Sequence, residues 1–226
     1  MVVNDVANTL LLDHATGVLP EPLDVMVSAH VAINEEARVK KDVLMSVGGR
    51  FLESVDPAPV SDTALESILS RIDTDPGSPP PSQATANSLE EDPNTAYDPV
   101  YRRVPKPLWP YVRKGAGKWR SVGGGVKEFR LNFAAQGYRA SLLEIAPGRR
   151  IPSHTHSGRE YTLVIDGAYD DGAMRVDRGD LVCNDHDDTH QPEADARMGC
   201  LCMAVLNAPL KFSGPLGWVI NPFMKV

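Results

Sequence analysis

Residues 74–96, TDPGSPPPSQATANSLEEDPNTA, separate two stretches whose apolar residues recur with different periods. That change of period most constrains what the chain can fold into. The stretch is rich in Pro, Ser, Asp and Asn and has no periodic apolar residues, so it reads as an extended linker. The expected architecture is therefore multidomain, α followed by all-β. It comprises a small helical domain over 1–73, the linker over 74–96, and a β domain over 97–226.

Before the linker the period is helical. Leu23, Met26, Val27, His30 and Val31 recur at spacings of three and four behind Pro20-Glu21-Pro22, a suitable helix start. Asn34 is placed to cap a further helix, with Glu35 and Glu36 in its first turn where carboxylates favour the dipole. Its expected buried stripe is Ala37, Leu44, Val47, Phe51 and Val55, and Gly48-Gly49 marks a weak point where it would bend. Ser61-Asp62-Thr63 with Glu66 behind it signals a last helix carrying Leu65, Ile68, Leu69 and Ile72. Four short helices make only a small core, and such a module usually needs a metal or a partner.

After the linker come short runs punctuated by glycine and aspartate. Expected strands are 127–133, 140–145, 160–165, 180–183 and 200–206. Turns are expected at Pro147-Gly148, Asp166-Gly167, Asp171-Gly172 and Arg178-Gly179. This spacing argues for a sandwich or barrel.

Charge divides the chain as period does. Residues 1–72 carry 5 Lys/Arg against 11 Asp/Glu, residues 73–96 carry 5 acidic residues and no basic one, and residues 97–226 carry 18 basic against 14 acidic. An acidic front half does not bind DNA directly, because phosphate attraction dominates such affinities. It fits the basic surface of a DNA-binding partner, or simply a solvated face. No apolar run approaches the ~20 residues of a membrane span, and the MVVNDVANTL start carries no secretory pattern. Three cysteines, Cys183, Cys200 and Cys202, cannot all pair, which fits a reducing cytoplasm.

The chemistry concentrates in one place. His154, His156, His186 and His190 fall within 37 residues. On a strand, His154 and His156 share one face. Glu160 follows the Ser157-Gly158 turn, and His190 completes a set of three imidazoles and one carboxylate. Such a set suits a divalent transition metal, zinc first, with Fe, Mn and Ni also accepted, rather than Ca or Mg. The spacing Gly148-x5-His154-x-His156-x3-Glu160-x6-Gly167 matches the first cupin motif, and Gly179 and His190 stand eleven apart as in the second. Asp185 and Asp187 depart from its Pro and Gly, and Ala194 from its Asn; these departures touch the turn and not the ligands. The β domain therefore resembles a cupin, a double-stranded β-helix or jelly-roll barrel. His186 reads as a loop residue beside the set. Cys200 and Cys202 share a strand face, where they are either core residues within GCLCMAVL or a pair that ligates metal or senses oxidants. The apolar setting favours core, for Cys183 too.

The whole chain resembles the ChrR-type anti-sigma factors. The resemblance is carried by LLLDHATGVLPEPLDVMVSAHVA, by IPSHTHSGREYTLVIDGAYDD and by GCLCMAVLNAPLKFSGPLGWVINPF. It implies a helical domain over 1–73 that binds a sigma factor and blocks its access to polymerase. It also implies a cupin domain needed for the response to singlet oxygen or related oxidants. The family's front domain carries an H-x3-C-x2-C zinc motif and an additional N-terminal histidine. Here His30 remains, Asn34 and Ala37 replace the cysteines, and Asp5 lies near the place of the extra histidine. The expectation is a front domain that binds no zinc.

Two functional readings follow. The first is a cytoplasmic transcription regulator that sequesters an extracytoplasmic-function sigma factor and senses an oxidant or small molecule at its cupin metal. The second is a cupin metalloenzyme of the dioxygenase, isomerase or hydrolase class, with Tyr161, Arg159 and His186 as candidates for positioning or proton transfer. A storage cupin that dimerises through its helices, and homodimers paired at sheet edges, stay open.

Overall fold

The computed structural model describes residues 3–74, 102–114, 118–135, 137–172, 174–208 and 210–212. The expected linker, Thr74 apart, lies outside the described residues, as does most of the closing segment.

Four helices come first: α1 Val3–Ala15, α2 Glu21–Ile33, α3 Glu35–Glu53 and α4 Ala64–Thr74. A 3-10 turn, Lys106–Leu108, leads into α5, Trp109–Lys114. The strands are β1 Arg120–Gly123, β2 Val126–Leu131, β3 Arg139–Ile145, β4 His154–His156, β5 Glu160–Asp170, β6 Arg175–Asp177, β7 Leu181–Asn184, β8 Thr189–His190, β9 Glu193–Ala194, β10 Cys200–Leu206 and β11 Leu210–Phe212. An eight-stranded antiparallel sheet runs β1-β2-β3-β10-β5-β6, with β7 and β9 also paired to β5. A second sheet runs β11-β4-β8.

By compactness the chain forms two units. Residues Met1–Leu44 and Pro99–Val226 make one, and Met45–Asp98 the other. The first unit thus joins α1, α2 and the start of α3 to the barrel. Its central strands are apolar on both faces, and the alternation of strand side chains sorts them. Leu201, Met203 and Val205 of β10, with Tyr161, Leu163 and Ile165 of β5, pack outward in one cluster with Leu11, Leu23, Met26, Val27 and Ala29 of the helices. Cys200 and Cys202 of β10 point inward with Val164, Val126 and Ile145. The partner that a small helical module needs is thus the outside of the barrel.

Local chemistry fixes the helix pair. His14 in the last turn of α1 meets Asp24 in the first turn of α2 at 2.7 Å, which places the Asp24 carboxylate at the helix end whose dipole favours it. At the start of α2, Glu21 accepts hydrogen bonds from the Tyr111 hydroxyl (2.9 Å) and the Ala134 backbone N–H (3.2 Å).

Three expectations need correction. Of the stripe assigned to α3, Ala37 is buried and Leu44 half-buried, but Val47, Phe51 and Val55 are exposed. Leu65, Ile68 and Leu69 of α4 are exposed as well, at 68%, 57% and 51%, while the side chain of Ile72 lies outside the described residues. The apolar pattern is amphipathic, and among the described residues these side chains stay exposed. Asp166-Gly167 is no turn: β5 runs through it with a bulge between Leu201 and Cys202 of β10. Gly167 has φ +74°, and a Cβ there would overlap the Gly199 carbonyl oxygen, so the site needs glycine.

Candidate metal centre

β4 is a three-residue strand, and its pleat sends His154 and His156 to one buried face and Thr155 to the other. Thr155 anchors the reverse side by donating its hydroxyl to the Asp188 carbonyl at 2.8 Å. β8 pairs antiparallel with β4 so that His190 stands opposite His154. Glu160, first residue of β5, lies on the inner face between the sheets and is buried. Four side chains from three strands meet in this way, with ligand-capable atoms all within 4.8 Å of one another.

The imidazoles converge through their Nε2 atoms. His156 Nε2 lies 3.2 Å from His190 Nε2, which lies 3.1 Å from His154 Nε2. Nitrogens held about 2.1 Å from one ion stand roughly 3.0–3.4 Å apart, depending on the angle between the bonds. The spacing fits a shared ion. So does protonation: burial pushes His154 and His156 down to about 4 and lowers His190 as well, leaving neutral rings at pH 7, the form that coordinates a metal. His154 Nδ1 donates to the Pro152 carbonyl at 2.9 Å, which fixes the tautomer with Nε2 facing the cluster. Burial raises the Glu160 pKa to about 7, with His156 Nδ1 lying 3.5 Å from its carboxyl oxygen. A carboxylate so placed gains from a cation more than a solvated one would. The residues fit a divalent transition metal.

Beside the cluster lies a cavity of about 460 Å³, reached by His154, Glu160, His190 and Cys202. Tyr161, Arg159 and His186 do not line it. Tyr161 packs outward against the helices, and His186 is 72% exposed beside Asp185 and Asp187. Arg159 is exposed as well. Cys200 and Cys202 are buried inner-face residues, and Cys183 belongs to the outer cluster; all three are free thiols.

A family model described as ChrR Cupin-like domain matches residues 110–209. Over 223 residues the chain is 32% identical to the Anti-sigma-E factor ChrR of Cereibacter sphaeroides, covering 98% of this chain and 97% of that one. The chain belongs to the ChrR anti-sigma factor family. In the crystal structure of Rhodobacter sphaeroides SigE in complex with the anti-sigma ChrR, the match has a TM-score of 0.68 and 31% identity. It covers 88% of this chain and 96% of that chain.

Against that ChrR background the positions of the front zinc motif have a specific occupation. Asn34 Oδ1 accepts from the Ala37 backbone N–H at 3.0 Å, the N-cap geometry of α3. The buried His30 ring donates through Nδ1 to the Gly179 carbonyl of the β6–β7 turn at 2.9 Å, and Asn34 Nδ2 donates to the same oxygen at 3.2 Å. Gly179 has φ +92°, and the place of its missing Cβ faces Asn34. Nothing local in the sequence signals this bond, whose partners are 149 residues apart. The side chain of Asp5 lies outside the described residues. No helix among the described residues is long and apolar enough to cross a membrane.

Proposed function

We propose that this chain is a cytoplasmic anti-sigma factor. Its helices sequester an extracytoplasmic-function sigma factor, and its cupin barrel holds one divalent metal, zinc first, through His154, His156, Glu160 and His190. The observation that carries the reading is the near-full-length relation to an anti-sigma factor. The exposed apolar side chains of α3 and α4 support it. Leu65, Ile68 and Leu69 lie three and four apart, hence on one stripe, and an exposed stripe of this kind marks a partner site. Acidic residues near its start in sequence, Asp62 and Glu66, match a partner whose own surface is basic from contacting DNA.

Sequestration needs no chemistry. A sigma factor held against these helices has its polymerase-binding surface covered, and transcription stops by occlusion. In the cupin, the chain's own residues supply the ligand atoms, the Pro152 carbonyl sets one ring, and the apolar walls keep the site dry. A bound metal would add Lewis acidity at that point. The division at 74–96, the absence of zinc at His30, and a role in the response to oxidants belong to this same reading.

The test is co-purification of full-length chain with its sigma factor, together with elemental analysis. A stoichiometric complex and one metal per chain, lost in His154→Ala, are expected. Failure to form a complex refutes the first half of the proposal, and metal-free protein the second. The enzyme reading draws on the cavity beside the cluster. It predicts turnover of a small substrate by metal-loaded protein, which the regulatory reading does not require.

A further inference from the structure

The cavity beside the metal cluster has a composition that selects a ligand. Its walls are Val126, Leu143, Ile145, Ile151, Pro152 and Tyr169, all apolar or largely so. Its volume of about 460 Å³ falls within the ~300–1,000 Å³ of pockets that enclose small organic molecules. Its charged side chains are ion-paired everywhere except at one end. On the wall, Glu128 accepts from Arg139 at 2.7 Å, from Ser141 at 2.7 Å and from Arg120 at 2.9 Å. At the rim, Arg150 is paired with Glu193 at 2.6 Å. At the His154–Glu160–His190 end, a divalent ion held by the three imidazoles and one carboxylate would leave one positive charge uncompensated. A buried unpaired charge is costly and is relieved by an opposite charge.

We propose that this cavity binds an apolar monocarboxylate, its carboxylate at the histidine end and its hydrocarbon body along the Val126–Leu143–Ile151 wall. The inference rests on the metal centre proposed above and assigns its ligand class. Sugars and polyols find too few polar partners on these walls. Amines meet a like charge at the histidine end, and dicarboxylates bury a second charge with nothing to meet it.

The test uses full-length chain loaded with Co(II), its metal content measured first by elemental analysis. Butanoate, hexanoate and octanoate are titrated against it by calorimetry and by the visible Co(II) absorption bands, with octylamine, octanol and succinate as controls. Affinity should rise roughly fourfold per added methylene, so on the order of tenfold for each two carbons. The Co(II) bands should shift on carboxylate addition, and the three controls should bind at least tenfold more weakly than octanoate. Val126→Trp, which fills the cavity, should abolish octanoate binding while the metal stays bound; should that variant fail to fold, Leu143→Phe serves the same purpose. Metal-loaded protein that ignores octanoate overturns the ligand class and leaves the metal centre standing. The ligand class is likewise overturned by octylamine or octanol binding as tightly, by an affinity flat in chain length, or by a folded cavity-filling variant that binds unchanged. Protein that takes up no metal overturns the centre itself, and with it this inference. Sigma-factor capture, measured separately, bears on neither outcome.

Discussion

Helices α2 and α4 carry the same kind of apolar pattern and meet opposite fates. In α2, Leu23, Met26, Val27 and His30 are all buried; in α4, Leu65, Ile68 and Leu69 are all exposed. The difference does not lie in the stripe. It lies in what the rest of the chain offers: α2 finds the outer face of β5 and β10, with the Gly179 carbonyl at one end and Tyr111 with Ala134 at the other. A hydrophobic period states that a face requires cover. It does not name the cover, which is supplied within the chain for α2 and, on this account, by a sigma factor for α4.

The comparison breaks most readily at Met26, which is fully buried. Met26→Ala should cost about 2–5 kcal/mol in urea unfolding, whereas Leu69→Ala should change stability by less than about 0.5 kcal/mol. Equal costs would mean that α4 is as well packed as α2. Charge on the other stripe should act on binding instead. Ile68→Asp is expected to weaken sigma-factor affinity by roughly 10- to 100-fold, the range of a central interface residue, with an unchanged unfolding midpoint. His30→Ala removes a buried donor and leaves the Gly179 carbonyl with Asn34 alone, so a loss of about 1–3 kcal/mol is expected. No loss would show that the clamp contributes nothing to docking.

A finer test uses pH. Burial lowers the His30 pKa below its ordinary 6.5, opposed by its bond to Gly179 and by Asp180 across the contact, with Lys40 acting in the same direction as burial. A histidine that folding makes harder to protonate stabilises the fold fully above pH 6.5, and that contribution falls as pH drops below it. Between pH 7.5 and 5.5 the parent should therefore lose more stability than His30→Gln, by less than about 1.4 kcal/mol per pH unit. Parallel pH curves for the two proteins would contradict the burial of His30.

The sequence made the His154–His156–Glu160–His190 cluster legible because its signals are local. An H-x-H pair on a strand, a carboxylate four residues on, and glycines at turn spacing need no knowledge of the fold, and β10 over Cys200–Leu206 was bounded by its own apolar run. Strands of two or three residues, such as β6, β8 and β9, have no period to read. The continuity of β5 through Gly167 depends on the approach of Gly199 from a distant strand. The clamp at Gly179 was invisible for the same reason. The bonds of His30 and Asn34 to the barrel depend on residues with no sequence proximity. Tyr161, Arg159 and His186 lie near the cluster in sequence but do not line the cavity beside it. The pleat of β5 turns Tyr161 outward, and His186 lies on an exposed turn.

Hydrogen exchange on the full-length chain, alone and with its sigma factor, tests the central claim most directly. The account predicts slow exchange of α2 amides in both states, with α4 amides fast in the free chain and strongly protected in the complex. Protection of α4 that does not change on complex formation, or fast exchange of α2 in the free chain, would contradict it.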